Sequence, residues 1–476
     1  MRLRDFAILG LGAALCGCAV NIENAPINVP VTAAAVQSAP LPVAPGSRGD
    51  PTTAIGVAFS GGGTRAAAFS FGVLKELAQA HGAGGVAGAA LIDDVDFVSG
   101  VSGGSITASY FGYAGDAALT DFRDKFLMQD LQSTLHTDVW DPRNWLFAWA
   151  GGVNDRRGVQ RWLDAHLFHD ATFSALNAPG KPIVWINASD IYNETPFVFD
   201  HQTFGALCSD LSRLPLSEAV AASAAVPIAF APIVMQSFPE ACDYRLPDWA
   251  REALADPLSP EGLQAYARAL SNYHDPAVMR YVKLLDGGLI DNFGLLGLSL
   301  RRLESNTPYG PMSAAQAATL KRLLFVIVDA GQSTGNAWVQ TASGPDAPAL
   351  LNAVTGTAMA AGTRGSFDIF LSLMEQWHDK VLDWRCSLTT DEIASYRGTA
   401  TGYDCRDFEI YIARVPFSLL DPDDAKKLSR IPTTLALPAD EVDALIAGGG
   451  EALNRAPAYQ NFLRSFTSAE VAFATN

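Results

Sequence analysis

The sequence predicts an α/β fold: an open, mostly parallel sheet with helices on both faces and its catalytic residues at strand carboxyl ends. Three stretches carry that expectation. Ile55-Gly56-Val57-Ala58-Phe59 reads as a strand and runs into the glycine-rich Ser60-Gly61-Gly62-Gly63-Thr64-Arg65 and then a helical pattern. Asp94 to Ser99 reads as a second strand, followed by Gly100-Val101-Ser102-Gly103-Gly104 and a small-residue helix. Leu323 to Val328 is a continuous apolar run, as suits a central parallel strand covered on both faces. Strands alternating with helices imply a doubly wound sheet, in which ligands bind outside the carboxyl ends of the strands.

Taken from the N-terminus, Arg2 and Arg4 precede an apolar run from Phe6 to Leu15, and then Cys16-Gly17-Cys18. A basic start, a short apolar run and small residues make a secretory signal, too short to span a bilayer permanently. Leu15-Cys16-Gly17-Cys18 resembles the bacterial lipobox, so residues 1–18 are read as a lipoprotein signal with Cys18 as the acylated anchor. Ordinary signal cleavage near Ala19, giving a secreted protein, is the alternative. Ala19 after the cysteine is the pattern that resembles transfer to the outer membrane.

Residues 19–53 contain Pro26, Pro30, Pro40, Pro42, Pro45 and Pro51 with little charge, which predicts a disordered Pro/Ala-rich tether. Fully extended it would reach roughly 110 Å. Residues 54–476 are then the globular part, with the motifs in 54–335 and an extension over 336–476. At 476 residues, 49% apolar and 17% charged, the chain can bury a large core. Its net charge of −17 becomes −18 when residues 1–18, with two arginines and one aspartate, are removed. That sign excludes nucleic acid as an expected partner. No cofactor and no metal are expected, because no His, Cys or acidic cluster has ligand spacing. Cys208, Cys242, Cys386 and Cys405 allow three disulfide connectivities, local pairing among them, and the sequence does not choose.

Within the globular part, Phe69, Val73 and Leu77 fall on one helix face, interrupted only by Gly72. The turn before them offers several N–H groups at a helix N-terminus, a place for an anion. It lacks the pattern of a nucleotide loop. Trp140, Trp145, Phe147 and Trp149 form an aromatic cluster that reads either as core or as an interfacial surface. Val159 to Leu167 and Ser217 to Ala225 read as helices, and Pro182 to Asn187 and Phe197 to Phe199 as strands. Residues 240–280, with Pro247, Pro257 and Pro260, read as a surface insertion. Tyr281 to Leu285 is a strand ending in Asp286-Gly287-Gly288. Beyond it, helices are expected near 347–378 and 440–466 and a strand near 407–414.

Gly100-x-Ser102-x-Gly104 on a sharp turn is how a nucleophilic hydroxyl is presented to a cleft. The pattern alone is weak, for it recurs at Gly331-Gln332-Ser333-Thr334-Gly335, where Ser333 is read as a loop serine because no clear helix follows. Together, the glycine turn at 61–65, the serine turn and Asp286-Gly287-Gly288 resemble the patatin-like phospholipases. Ala222-Ser223-Ala224-Ala225-Val226-Pro227 with Phe230 and Pro232 supports the resemblance, which covers about residues 54–300.

The resemblance implies a Ser–Asp dyad: Ser102 the nucleophile, Asp286 the general base, and an oxyanion hole from the N–H groups of Gly61, Gly62 and Gly63 with a share from Gly103. The substrate would be a phospholipid or another acyl-ester lipid, and the reaction lipid acyl hydrolysis through an acyl-serine. An aspartate near pKa ~3.9 is a feeble base toward a hydroxyl, so burial has to raise its basicity. Arg65 is read as structural. Two other readings stay open: a serine esterase with a His-containing triad through His378, and a non-catalytic outer-membrane scaffold. His378 lies in a helical run and His274 in the insertion, and both are read as structural.

Overall fold

β-branched and aromatic runs build eight strands, and the computed structural model describes residues 24–32, 49–81, 90–135, 144, 151–332 and 337–474. The strands are β1 (Thr53–Phe59), β2 (Val95–Val101), β3 (Ile183–Asp190), β4 (Thr195–Val198), β5 (Ile233–Gln236), β6 (Tyr281–Asp286), β7 (Arg322–Asp329) and β8 (Glu409–Pro416). Helices of eight or more residues are α1 (Gly63–Gln79), α2 (Gly103–Ala114), α3 (Leu216–Ser223), α4 (Asp248–Ala255), α5 (Glu261–His274), α6 (Leu296–Glu304), α7 (Ala347–Ser387), α8 (Thr390–Arg397), α9 (Pro422–Ser429), α10 (Ala439–Arg455) and α11 (Pro457–Ala474).

The sheet runs β5-β6-β3-β2-β1-β7-β8, with β4 also paired to β3. From β3 to β8 every pair on that path is parallel, while β4, β5 and β6 are antiparallel to their neighbours. All seven residues of β1 are buried. Because side chains alternate along a strand, Ile55, Val57 and Phe59 meet α1, α2 and α10 on one face. Ala54 and Ala58 face the opposite layer, built from Leu298 of α6 and Phe370, Met374 and Trp377 of α7. The open, mostly parallel sheet with helices on both faces is the architecture the motifs imply.

Four departures from the sequence reading have their causes in distant partners. Residues 24–32 lie outside any tether: they form an extended strap on the body. Ile27 N–H donates to Val234 O at 3.0 Å, and Asp210 N–H to Val29 O at 3.0 Å. The Asn28 amide donates to Gln236 O at 2.8 Å and accepts from Gln236 N at 2.8 Å. It thus pairs with the end of β5 and shields that sheet edge. Such a partner leaves no periodicity in the strap itself. The second departure is residues 240–280, a packed helical pair in place of a surface insertion. Leu263, Tyr266, Ala267, Leu270 and Tyr273 of α5 are buried, and the Tyr273 hydroxyl donates to Asp190 Oδ2 at 2.9 Å.

The third is the region after 336, which completes the body: β8 pairs along its whole length with β7, and α10 backs α1. The fourth is Gly72. A Cβ there would overlap Ile446 O, and one on Gly449 would overlap Phe69 O, so α1 and α10 cross backbone against backbone. Helix propensity alone favours alanine at such a position by up to ~1 kcal/mol. Packing reverses the sign. Gly72→Ala is expected to lower stability by about 1–3 kcal/mol, read as a lower urea midpoint.

Disulfides join Cys208 to Cys242 and Cys386 to Cys405, with sequence separations of 34 and 19. The first ties the segment leading into α4 to the chain that follows β4. Replacing both Cys208 and Cys242 by alanine is expected to remove about 3–4 kcal/mol, the loop entropy released to the unfolded chain. Urea denaturation measures it. The signal and Cys18, the aromatic residues Trp140, Trp145, Phe147 and Trp149, and Ser333 lie outside the described residues.

Candidate active site

β2 ends at Val101, and Ser102 follows at φ 51°, ψ −122°, a conformation that L-residues avoid. α2 starts at once with Gly103. A Cβ on Gly103 would overlap Gly63 O, and one on Gly104 would come 2.5 Å from Phe59 O. The turn is therefore closed against the end of β1 and the glycine loop, as a strained serine turn requires.

A chain of buried hydrogen bonds holds it there. Ser102 N–H donates to Ser223 Oγ at 2.9 Å, and the Ser223 hydroxyl donates to Asn187 O at 2.6 Å. The Asn187 amide donates to Ser99 Oγ at 2.8 Å and Gly100 O at 3.0 Å. The Ser99 hydroxyl in turn donates to Gly294 O at 2.8 Å.

Asp286 arrives from the other direction. β6 is antiparallel to β3, with Asp286 opposite Ala188, while Val101 of β2 lies opposite Asn187. Neighbouring residues of β3 thus bring Ser102 and Asp286 together. Asp286 N–H donates to Ala225 O at 2.8 Å, and its carbonyl accepts from the Ser189 hydroxyl at 2.9 Å. Its Oδ1 accepts from Gly288 N–H at 2.8 Å. Burial pushes the Asp286 carboxyl up to about 6, the Gly288 N–H and the nearby Ser102 hydroxyl pulling in the opposite direction.

The loop after it is fixed by Asp291, which accepts from Leu296 N–H at 2.6 Å and from the Ser366 hydroxyl of α7 at 2.9 Å.

The glycine loop faces this pair. Gly61 N–H donates to Asn292 O at 3.1 Å and Thr64 N–H to Thr434 O at 2.8 Å. Gly61 is therefore not a free donor, which corrects its place in the expected oxyanion hole. The N–H groups of Gly62, Gly63 and Gly103 have no partner among the described residues. Arg65 is structural: buried, it donates to Ala330 O at 3.1 Å and Ile431 O at 2.6 Å. Desolvation lowers its pKa to about 10, partly offset by Asp329.

A hydroxyl on a strained turn, a buried carboxylate near it and N–H groups without partners among the described residues are an arrangement suited to acyl transfer. The family model of the patatin-like phospholipases matches residues 57–298. The chain belongs to that family. No curated protein is significantly similar to it in sequence. Among solved structures it is similar to human GIVD cytosolic phospholipase A2, at 12% identity and a TM-score of 0.40, covering 88% of this chain and 63% of that one. The same enzyme in complex with methyl gamma-linolenyl fluorophosphonate and terbium chloride gives 12% and 0.36, over 88% and 60%. The chain thus spans less than two thirds of the length of these enzymes.

In this patatin-like phospholipase the histidines stand away from the dyad. His378 Nε2 is 3.0 Å from Phe408 O. It lies nineteen residues along α7 from Met359, which packs against Gly288, or about 28 Å of helix. The His274 ring packs against Tyr244, 5.3 Å between centroids, beside the Cys208–Cys242 disulfide. A His-containing triad through either residue is not what the geometry supports. Among the described residues no group of three His, Cys, Asp or Glu side chains could hold a metal ion.

Several functional neighbours escaped the sequence reading. Asn187 and Ser223 support the serine turn. The Asn292 side chain fills the space where a Cβ on Gly61 or Gly288 would stand, between the glycine loop and Asp286. The one signal available was a polar residue closing an apolar strand at Asn187. Exposed Val226 and Ile228 follow Ala225, the residue bonded to Asp286 N–H, and exposed Leu350 and Val354 precede Met359 on α7.

Proposed function

We propose that this protein is a lipid acyl hydrolase of the phospholipase A or lysophospholipase type, working through Ser102 and Asp286. The observation that carries the reading is the placement of the Ser102 hydroxyl near a buried carboxylate whose pKa is raised to about 6. At that value Asp286 is ionised at neutral pH yet more basic by two units than a solvated aspartate, which suits a general base.

Ser102 Oγ attacks the ester carbonyl carbon as its proton passes to Asp286. The negative charge on the carbonyl oxygen faces the N–H groups of Gly62, Gly63 and Gly103. Each such donor is worth about 3 kcal/mol of barrier. The intermediate collapses by breaking the bond to the alkoxy oxygen, which leaves as a lysolipid or alcohol with the proton from Asp286. Water then attacks the acyl-serine as its proton passes to Asp286, and Asp286 returns that proton to Ser102 Oγ as the acyl bond breaks, releasing a fatty acid and free Ser102. Val226 and Ile228, exposed just after the residue bonded to Asp286 N–H, would suit contact with an acyl chain.

The membrane side of the proposal rests on the sequence. Cys18 would carry a lipid anchor that holds the enzyme at the bacterial outer membrane, with secretion as the alternative. No helix among the described residues is long and apolar enough to cross a membrane. The test is mass spectrometry of a mixed phospholipid extract after incubation. Fatty acid and lysolipid should accumulate with the wild type and not with Ser102→Ala; an unchanged lipid profile with the wild type would reject the reading.

A further inference from the structure

A second cavity lies in the layer on the other face of the sheet, some way from the dyad. It is a partly open pocket of about 170 Å³ between Trp185, Phe325, Leu298 and Met312. Asp96 and Trp377 also line it. Asp96 precedes Ser102 by six residues on the same strand, roughly 20 Å, so this is no part of the active site.

The polar groups in this cavity are unusual. The β1–β2 register steps from Ile55 opposite Val95 to Gly56 opposite Phe97, so Asp96 is the extra residue of a β-bulge. A bulge re-aims a side chain. Here it places a carboxylate in an apolar layer, where Asp96 Oδ2 is buried with no hydrogen-bond partner among the described residues. The Trp377 indole Nε1–H is buried and unpartnered as well. Burial, with the nearby Asp94 charge adding to it, pushes the Asp96 carboxyl up to about 7. Arg301, which also lines the cavity, is paired with Asp200 and Glu304.

A mostly apolar pocket of this size accepts a benzene-sized molecule. Left dry, it strands one acceptor and one donor, each of which costs free energy while unpaired. A hydroxyl can satisfy both, since it donates one hydrogen bond and accepts others.

We propose that this cavity binds a small amphiphile, an apolar body of about benzene size carrying one hydroxyl that donates to Asp96 and accepts from Trp377. A hydroxyl suits the site in either protonation state of Asp96, whereas a carboxylate would meet a like charge. The inference is independent of the chemistry assigned to Ser102.

Benzyl alcohol, toluene and benzoate separate the alternatives in titration calorimetry on the full protein. Benzyl alcohol should bind about tenfold more tightly than toluene, and benzoate should not bind. Asp96→Leu and Trp377→Phe should each erase the preference for the alcohol, and Ala54→Leu, which builds into the cavity, should weaken both aromatics. Ester hydrolysis by Ser102 should persist in all three, reporting an intact fold. Trp377→Phe decides the matter should Asp96→Leu fail to fold. If neither aromatic binds the wild type, if toluene binds as well as benzyl alcohol, or if the substitutions change nothing, the cavity holds water only and the proposal is wrong.

Discussion

Ser102→Ala is expected to lower turnover of a phospholipid or p-nitrophenyl ester by about 10⁴-fold or more, because it removes the attacking oxygen and leaves only binding and the N–H groups. Its thermal stability should stay close to the wild type, since alanine inherits the same backbone conformation at φ 51°. Ser102→Gly separates the two roles. Glycine adopts positive φ without penalty, so this variant should be equally inactive and about 1 kcal/mol more stable, the strain otherwise stored at the turn. Equal stability of the alanine and glycine variants would mean that the turn is unstrained.

Asp286→Asn should have an effect of similar size on turnover and, unlike Ser102→Ala, should raise stability. The carboxyl is pushed from 3.8 to about 6 by burial, so the folded state prefers the neutral acid. That preference is fully present below pH 3.8 and is lost as pH rises through about 6. Above pH 6 the native protein therefore holds a charge that opposes folding by on the order of 3 kcal/mol. Asparagine keeps an oxygen for Gly288 N–H and carries no charge. Its stability advantage should be small at pH 4 and reach its full value near pH 8, measured by urea denaturation. An advantage that does not change with pH would show that the carboxylate is not perturbed by burial. For the wild type, kcat/KM should fall tenfold per pH unit below about 6, because only the ionised form accepts the proton.

What was legible in the sequence is what chemistry and local geometry write into neighbouring residues. β1 with its glycine turn, β2 with Ser102 and β6 with Asp286 each combine a short apolar run with a turn signature, so their positions could be read. Less legible was what depends on distant partners. Nothing near Gly61 reveals that its N–H is taken by Asn292 O, 231 residues later in sequence. Gly72 looks like a flaw in a helix until Ile446 and Gly449 stand against it. The strap at 24–32 is bland in composition because its order comes from pairing with β5 and Ser209. The direction of β6 was equally hidden. An antiparallel strand and a parallel one carry the same apolar run, yet only the observed one returns Asp286 to Asn187 and Ala188 of β3. Ser223 sat in a helix of small residues, where nothing distinguishes a packing serine from one that holds the nucleophile's backbone.

The most direct test of the account is the pH dependence of covalent labelling by a fluorophosphonate, with the modified residue located by mass spectrometry. The account predicts a single label on Ser102, a rate that climbs tenfold per unit up to about pH 6 and then levels, and loss of that rate in Asp286→Asn with no change in His378→Ala. Labelling of another serine, wild-type rates in Asp286→Asn, or a rate that depends on His378 would contradict it.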